Sequence, residues 1–66
     1  MTRTAAAFAR LAKRMSTEDS IDAVMQCATV VAVEAAWTPS DCRAVADAGE
    51  ARIAELKRHE AHKEKP

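Results

Sequence analysis

The side chains best suited to chemistry in this 66-residue sequence are Cys27, Cys42, His59 and His62. The cysteines flank a turn at Thr38–Pro39, with Cys27 about ten residues before it and Cys42 about four after it. On paired helices their heights differ by roughly 9 Å, whereas a disulfide needs Cα atoms within about 7 Å. The sequence therefore predicts two free, buried thiols, as expected in a reducing cytoplasm.

Cys42 has two interpretations, because it falls in the first turn of a predicted helix, beside Arg43. A thiolate nucleophile is one of them, and packing beneath Trp37 is the one we favour. His59 and His62 share a helical face, but the segment HEAH leaves one residue between Glu60 and the second histidine, where a zinc-protease motif has two. We therefore expect no metal site there.

Other catalytic chemistry finds little support in the sequence. A single glycine excludes a glycine-rich phosphate loop, and a chain of 66 residues is short for a substrate pocket of several hundred Å³. We therefore expect no enzyme, no catalytic residues, no cofactor and no small-molecule substrate.

The elements that position these residues are helices. The chain has 16 alanines, one glycine, two prolines and no tyrosine, a composition that favours an all-α fold. Half of the 48% hydrophobic content is alanine, so one domain over residues 1–66 has a thin core and is expected to need oligomerisation. No apolar run approaches the roughly 20 residues that cross a bilayer. The first helix could lie flat on a membrane surface only through Phe8, Leu11 and Met15, which would bind weakly, so we expect no membrane partner.

The segment AAWTPSDC, residues 35–42, marks a corner between two helices. Thr38 suits an N-cap, Pro39 the first helical position, and Asp41 the third, where its carboxylate accepts hydrogen bonds from free amides. Trp37 and Cys42 then occupy the two positions of a hydrophobic staple. Because Pro39 disfavours the α conformation at Thr38, the preceding helix should end near Trp37.

These signals predict helices over about 3–15, 16–37 and 39–60, with 59–66 as a fraying tail. The first is short and basic, and the other two form an antiparallel hairpin. Their apolar stripes are Ala5, Phe8, Leu11, Ala12 and Met15; Ile21, Val24, Met25, Ala28, Val31, Ala32 and Ala35; and Cys42, Val45, Ala46, Gly49, Ile53 and Leu56. Gly49 lies within a stripe, which indicates close contact between helices.

One hairpin does not cover a middle helix that is apolar on two sides. Val30, Val33 and Trp37 form the second apolar side, and the small residues Ala28 and Gly49 permit close approach. The sequence therefore predicts self-association through these five residues, as a homodimeric helical bundle.

The function predicted from these patterns is a non-enzymatic interaction module of the cytoplasm. It would be a regulator or inhibitor of the size encoded by bacteriophages or mobile elements, occluding a partner protein through Phe8, Leu11, Arg10 and Arg14. The alternative is a dimeric nucleic-acid-binding regulator. Its binding residues would be the four bases of the first helix, Arg3, Arg10, Lys13 and Arg14. A net charge of zero and seven acids within residues 16–50 count against that alternative.

Overall fold

The computed structural model describes residues 1–63, with side chains up to Glu60, and within that range it is all-α, as predicted. Its helices are α1 (Arg3–Arg14), α2 (Glu18–Glu34) and α3 (Pro39–Lys63). Each helix contacts the other two, and the resulting bundle measures 48 × 17 × 14 Å.

The directions of the helices follow from contacts at their ends. The backbone N–H of Thr2 donates to Asp41 Oδ1 at 3.2 Å, so the start of α1 lies at the start of α3. The Arg52 Nε–H donates to the carbonyl oxygen of Met15 at 2.7 Å, so the end of α1 lies beside the middle of α3. Helices α1 and α3 therefore run in the same direction, and the Lys57–Glu18 pair at 3.9 Å places the start of α2 beside the later part of α3.

The chain turns between α1 and α2, as the sequence predicts, although no glycine or proline enforces the turn. Helix α1 ends at Arg14, and Met15 has an extended conformation with ψ 145°. Thr17 then caps α2 by accepting a hydrogen bond from the Ser20 N–H at 3.1 Å. In place of a helix-breaking glycine or proline, the Thr17 cap of α2 and the hydrogen bond from Arg52 to the Met15 carbonyl hold the turn.

Helix α2 ends at Glu34, three residues before the predicted end at Trp37. Ala36 has φ 54°, in the left-handed region. The N–H of Trp37 donates to the Ala32 carbonyl at 3.0 Å, and that of Ala36 donates to the Val33 carbonyl at 3.4 Å. These two bonds form a Schellman motif with an alanine at the position that usually holds glycine.

The start of α3 confirms the predicted capping residues. The N–H of Asp41 donates to Thr38 Oγ1 at 3.2 Å, and the N–H of Thr38 donates to Asp41 Oδ2 at 3.1 Å. These reciprocal bonds form a capping box. Helix α3 continues to Lys63, while residues 64–66 of the predicted fraying tail lie outside the described residues.

The core is built mainly of small side chains. Its buried apolar residues are Ala5, Ala12, Ile21, Ala28, Val45 and Ala48. Only Ile21 and Val45 are large side chains that are fully buried among the described residues. Close approach of α2 and α3 is confirmed at Gly49, where an added Cβ would lie 2.9 Å from Met25 Sδ.

Candidate interaction surfaces

Trp37 closes the end of the bundle where α2 passes into α3. Its ring meets Phe8 edge-to-face, with centroids 5.8 Å apart and an interplanar angle of 67°. Its Nε1–H donates to Thr4 Oγ1 at 2.7 Å. Both aromatic rings pack on the buried cluster that includes Ala28 and Val45. The tryptophan therefore joins α1 to the corner between the other two helices.

Asp41 is the buried charged residue of this end, with 3% of its surface exposed. Its burial raises the pKa of the carboxyl group. The backbone N–H groups of Thr38 and Thr2 and the Thr38 side chain outweigh that cost, so the pKa lies below the ordinary value of 3.8. The ionised carboxylate thus caps α3 and binds the start of α1 at the same time.

An apolar groove lies between α2 and α3 beside the tryptophan. Its volume is about 220 Å³, and it is lined by Met25, Ala28, Thr29, Ala32, Trp37, Cys42, Val45 and Ala46. We call it the α2–α3 groove. Its one hydroxyl is turned along the helix, since Thr29 Oγ1 donates to the Met25 carbonyl at 3.0 Å. The exposed surface of the groove is therefore mainly apolar.

Three large apolar side chains of the helices face water. Val33 is 80% exposed, Val30 is 63% exposed and Leu11 is 42% exposed. Leu11 belongs to the predicted apolar face of α1 and is exposed, while Ala5 and Ala12 take the buried positions of that face. The exposed side of α2 is therefore apolar at Val30 and Val33, where the sequence places self-association.

The other residues predicted for self-association point into the chain. Ala28 is 4% exposed within the core, and Gly49 is buried against Met25. Trp37 is half-buried and its ring meets that of Phe8, which is also half-buried, so part of the Phe8 surface predicted for a partner is covered. These contacts leave Val30 and Val33 as the accessible part of the predicted self-association set.

The four bases of α1 are all exposed: Arg3, Arg10, Lys13 and Arg14. Within the described residues the ion pairs are Arg52–Glu55 at 3.8 Å and Lys57–Glu18 at 3.9 Å. Neither pair includes a base of α1, so the positive charge of this helix is directed outward.

The prediction of buried thiols is wrong, because Cys27 and Cys42 are both free and exposed. Cys42 and Trp37 both line the α2–α3 groove, and the indole N–H of Trp37 donates to Thr4 on α1. Cys27 lies on the outer side of α2. The absence of an intrachain disulfide between them agrees with the expected difference in height.

The opposite end of the bundle has a second cavity, of about 350 Å³. It is lined by Ser16, Thr17, Glu18, Leu56, Lys57, His59 and Glu60. No group of three or more metal-ligating side chains occurs among the described residues, which include His59 but not the side chain of His62.

Three contacts of the structure have no signal in the sequence: the bonds of Thr4 to Trp37, Thr2 to Asp41, and Arg52 to the Met15 carbonyl. Their partners are 33 to 39 residues apart. Threonine, tryptophan and arginine occur in most helical sequences without such roles, so only the packing of α1 on α3 identifies these contacts.

Comparison of the chain with protein-family models, with curated proteins and with solved structures finds no match. Over the residues that the structure describes, no helix combines the length and apolar character needed to cross a bilayer.

Proposed function

We propose that this chain is a small non-enzymatic interaction module that binds and occludes a partner protein, as a regulator or inhibitor. In this proposal the α2–α3 hairpin, with α1 packed on it, assembles as a homodimeric helical bundle. Its two unpaired thiols suit a reducing cytoplasm.

The observation that carries the proposal is the distribution of apolar side chains. Val30 and Val33 are 63% and 80% exposed on one helix, while Ile21 and Val45 are the fully buried large side chains of the described core. Covering a valine side chain completely gains about 1.5 kcal/mol or more. A chain with so thin a core would gain much of its stability by covering the outer side of α2.

Self-association is tested by sedimentation equilibrium of the parent chain and a Val30→Asp/Val33→Asp variant. The parent should sediment at twice the chain mass of 7.1 kDa, and the variant at that mass, because two buried charges oppose association. The matched control is Ala54→Asp on the exposed side of α3. A parent chain that sediments as a folded monomer would contradict the proposal.

The α2–α3 groove is the proposed site for the partner, through an apolar side chain or helix that enters it. Phe8 contributes from inside the bundle, by fixing Trp37 at the end of the groove. Leu11, Arg10 and Arg14 stay exposed on α1 as the predicted second contact region.

The groove is tested by affinity purification from the native host with the parent chain and with Ala46→Glu, which places a charge in the groove. Proteins retained by the parent and by the control Ala51→Glu, but lost with Ala46→Glu, are groove partners. Equal retention by all three chains would place the partner site elsewhere.

A second function is favoured by one observation, the outward charge of α1. Arg3, Arg10, Lys13 and Arg14 are exposed and take no part in the ion pairs of the described residues. Nucleic acid would bind them through its phosphates. Retention on heparin or duplex DNA at about 0.15 M salt should then fall steeply as salt increases. Replacing the four bases with glutamine should abolish that retention. Retention that survives the change would exclude α1 as the nucleic-acid-binding element.

A further inference from the structure

We infer that a second copy of this chain docks on the face formed by α1 and α2, so that α1 of each copy lies antiparallel against α2 of the other. This inference rests on the self-association in the proposed function and specifies its geometry. The face, called the α1–α2 face below, consists of the exposed residues Ala7, Leu11 and Arg14 of α1 and Ala23, Cys27 and Val30 of α2. In this dimer the second copy covers Leu11 and Arg14, so Arg10 is the part of the predicted partner contact region on α1 that stays exposed, and Val33 lies outside the face.

On α2, the outer side next to α1 is identified by elimination. Met25 meets Gly49 of α3, and together with Thr29 it lines the α2–α3 groove, so this side of α2 faces α3. At about 100° per residue, Cys27 lies on the opposite side of the helix from Met25 and Thr29. Ala23, Val30 and Glu34 follow the same line as Cys27, and all four are exposed.

On α1, the side next to α2 is identified by the tryptophan corner. Phe8 and Thr4 contact Trp37, whose backbone N–H donates to the Ala32 carbonyl in the last turn of α2, so their side of α1 is turned towards that end of α2. Leu11 and Ala7 lie on the outer edge of this side at helical spacing, and both are exposed. Because α1 and α2 contact each other, we treat these two outer edges as one face.

The heights of the residues on the two helices are fixed by the fold. Ala5 of α1 and Ala28 of α2 share the core cluster, and a three-residue turn joins Arg14 to Glu18. Counting from these anchors, three pairs of exposed positions lie level: Arg14 with Asp19, Leu11 with Ala23, and Ala7 with Cys27. Along the bundle axis, Arg3 lies about one helical turn from Glu34, in the direction of the N-terminus of α2. Because helical side chains lean towards the N-terminus of their own helix, the Arg3 and Glu34 side chains lean towards each other.

A two-fold axis parallel to the helices keeps every residue at its height and places α1 of one copy opposite α2 of the other. The level pairs then become contacts between copies. Apolar and small side chains meet in the middle, where Leu11 faces Ala23 and Ala7 faces Cys27. The pairs Arg14–Asp19 and Arg3–Glu34 close the two ends with opposite charges.

Charge selects this arrangement over the alternatives. The charged residues on the exposed side of α1 are all bases, and the outer side of α2 carries the acids Asp19 and Glu34. Pairing α1 with α1, or α2 with α2, would set like charges against each other. Pairing α1 with α2 also keeps neighbouring helices antiparallel, so their dipoles oppose favourably. The result is a six-helix bundle with both copies of α3 on the outside.

The inference is tested with two chains mixed in equal amounts, each with Cys42→Ser. One chain carries Ala7→Cys and Cys27→Ser, and the other keeps Cys27 and carries a tag that changes its size. Oxidation should give a disulfide between the unlike chains, seen as a mixed band on a non-reducing gel. In the control, the first chain carries Ala51→Cys on α3 in place of Ala7→Cys, and the mixed band should be at least about tenfold weaker. A disulfide within one chain does not produce the mixed band.

Charge reversal gives a second, independent readout by sedimentation. Arg3→Glu alone and Glu34→Arg alone should each weaken the homodimer about tenfold, because each creates two repulsive contacts. Mixing the two single variants should restore association, since a mixed dimer pairs opposite charges at both contacts.

The outcomes separate this inference from the proposed function. A parent dimer that oxidises through Cys27 of both copies, without the mixed band and without rescue by mixing, would overturn the inferred geometry while self-association stands. A monomeric parent chain would overturn both. The mixed band together with rescue by mixing supports both.

Discussion

The contacts that hold the helices together at the tryptophan end of the bundle differ in kind from those at the opposite end. At the tryptophan end, the indole N–H of Trp37 reaches Thr4 at 2.7 Å, and the Asp41 carboxylate accepts from Thr2 and Thr38. At the opposite end, the contacts between helices are the part-buried hydrogen bond from Arg52 to the Met15 carbonyl at 2.7 Å and the Lys57–Glu18 ion pair at 3.9 Å, whose side chains are 65% and 55% exposed. A cavity of about 350 Å³ lies open beside it.

This difference indicates that the two ends contribute unequally to stability. Buried and partly buried hydrogen bonds to a carboxylate are stronger than neutral ones, while an exposed ion pair typically contributes at most about 1 kcal/mol. All three helices meet within a few side chains of Trp37. Their relative positions are therefore fixed mainly at that end, and the following predictions test the inequality from the largest expected effect to the smallest.

Replacing Trp37 with alanine should cost the most, about 3 kcal/mol, because it removes an aromatic pair, a hydrogen bond and apolar burial together. Urea denaturation followed by circular dichroism measures the loss. The matched change at the opposite end is Leu56→Ala, a half-buried side chain of α3. Equal losses for the two variants would contradict the difference between the ends.

Replacing Asp41 with asparagine should have a smaller effect, and one that depends on pH. The folded state lowers the pKa of Asp41 below 3.8, so its ionised carboxylate stabilises the fold fully above that pH. That contribution is lost as the pH falls through the lower folded value. The difference in urea midpoint between the parent and Asp41→Asn should therefore shrink as the pH decreases below about 3.8. A constant difference from pH 6 to pH 2 would contradict this role.

Replacing Ala36 with glycine should stabilise the corner by about 1 kcal/mol, because glycine adopts φ 54° without the steric cost that alanine bears. Thermal unfolding measures the gain. The control is Ala35→Gly at φ −92°, where glycine has no such advantage and should lower the melting temperature. A loss of stability in both variants would contradict the assignment of strain to Ala36.

Replacing Lys57 with glutamine should have the smallest effect, within about 0.5 kcal/mol, since the exposed pair with Glu18 is screened by solvent. The measurement is the same urea titration. A loss comparable to that of Trp37→Ala would show that the opposite end holds the bundle as firmly as the corner does.

The parts of the fold that could be predicted are those encoded by neighbouring residues. Thr38, Pro39 and Asp41 define the start of α3 within four positions, and the structure confirms their hydrogen bonds. Gly49 indicates close helix contact because a glycine inside an apolar stripe has a cost that packing must offset. The exposure of Val30 and Val33 likewise follows from their position off the main stripe of α2.

The parts that could not be predicted depend on distant residues or on an unfavoured conformation. Alanine gives no signal for φ 54°, so the end of α2 was expected at Trp37 rather than Glu34. The burial of Cys42 was inferred from a staple with Trp37. The indole instead found partners on α1, whose position on the hairpin no local pattern specifies.

Because the Trp37 indole is hydrogen-bonded to Thr4, tryptophan fluorescence is an intrinsic probe of the contact between α1 and the corner. With one tryptophan and no tyrosine, ultraviolet emission comes from this single ring, which touches α1, the corner and the α2–α3 groove. Detachment of α1, or arrival of a molecule in the groove, changes the surroundings of the same fluorophore. Both events are therefore observable without any label.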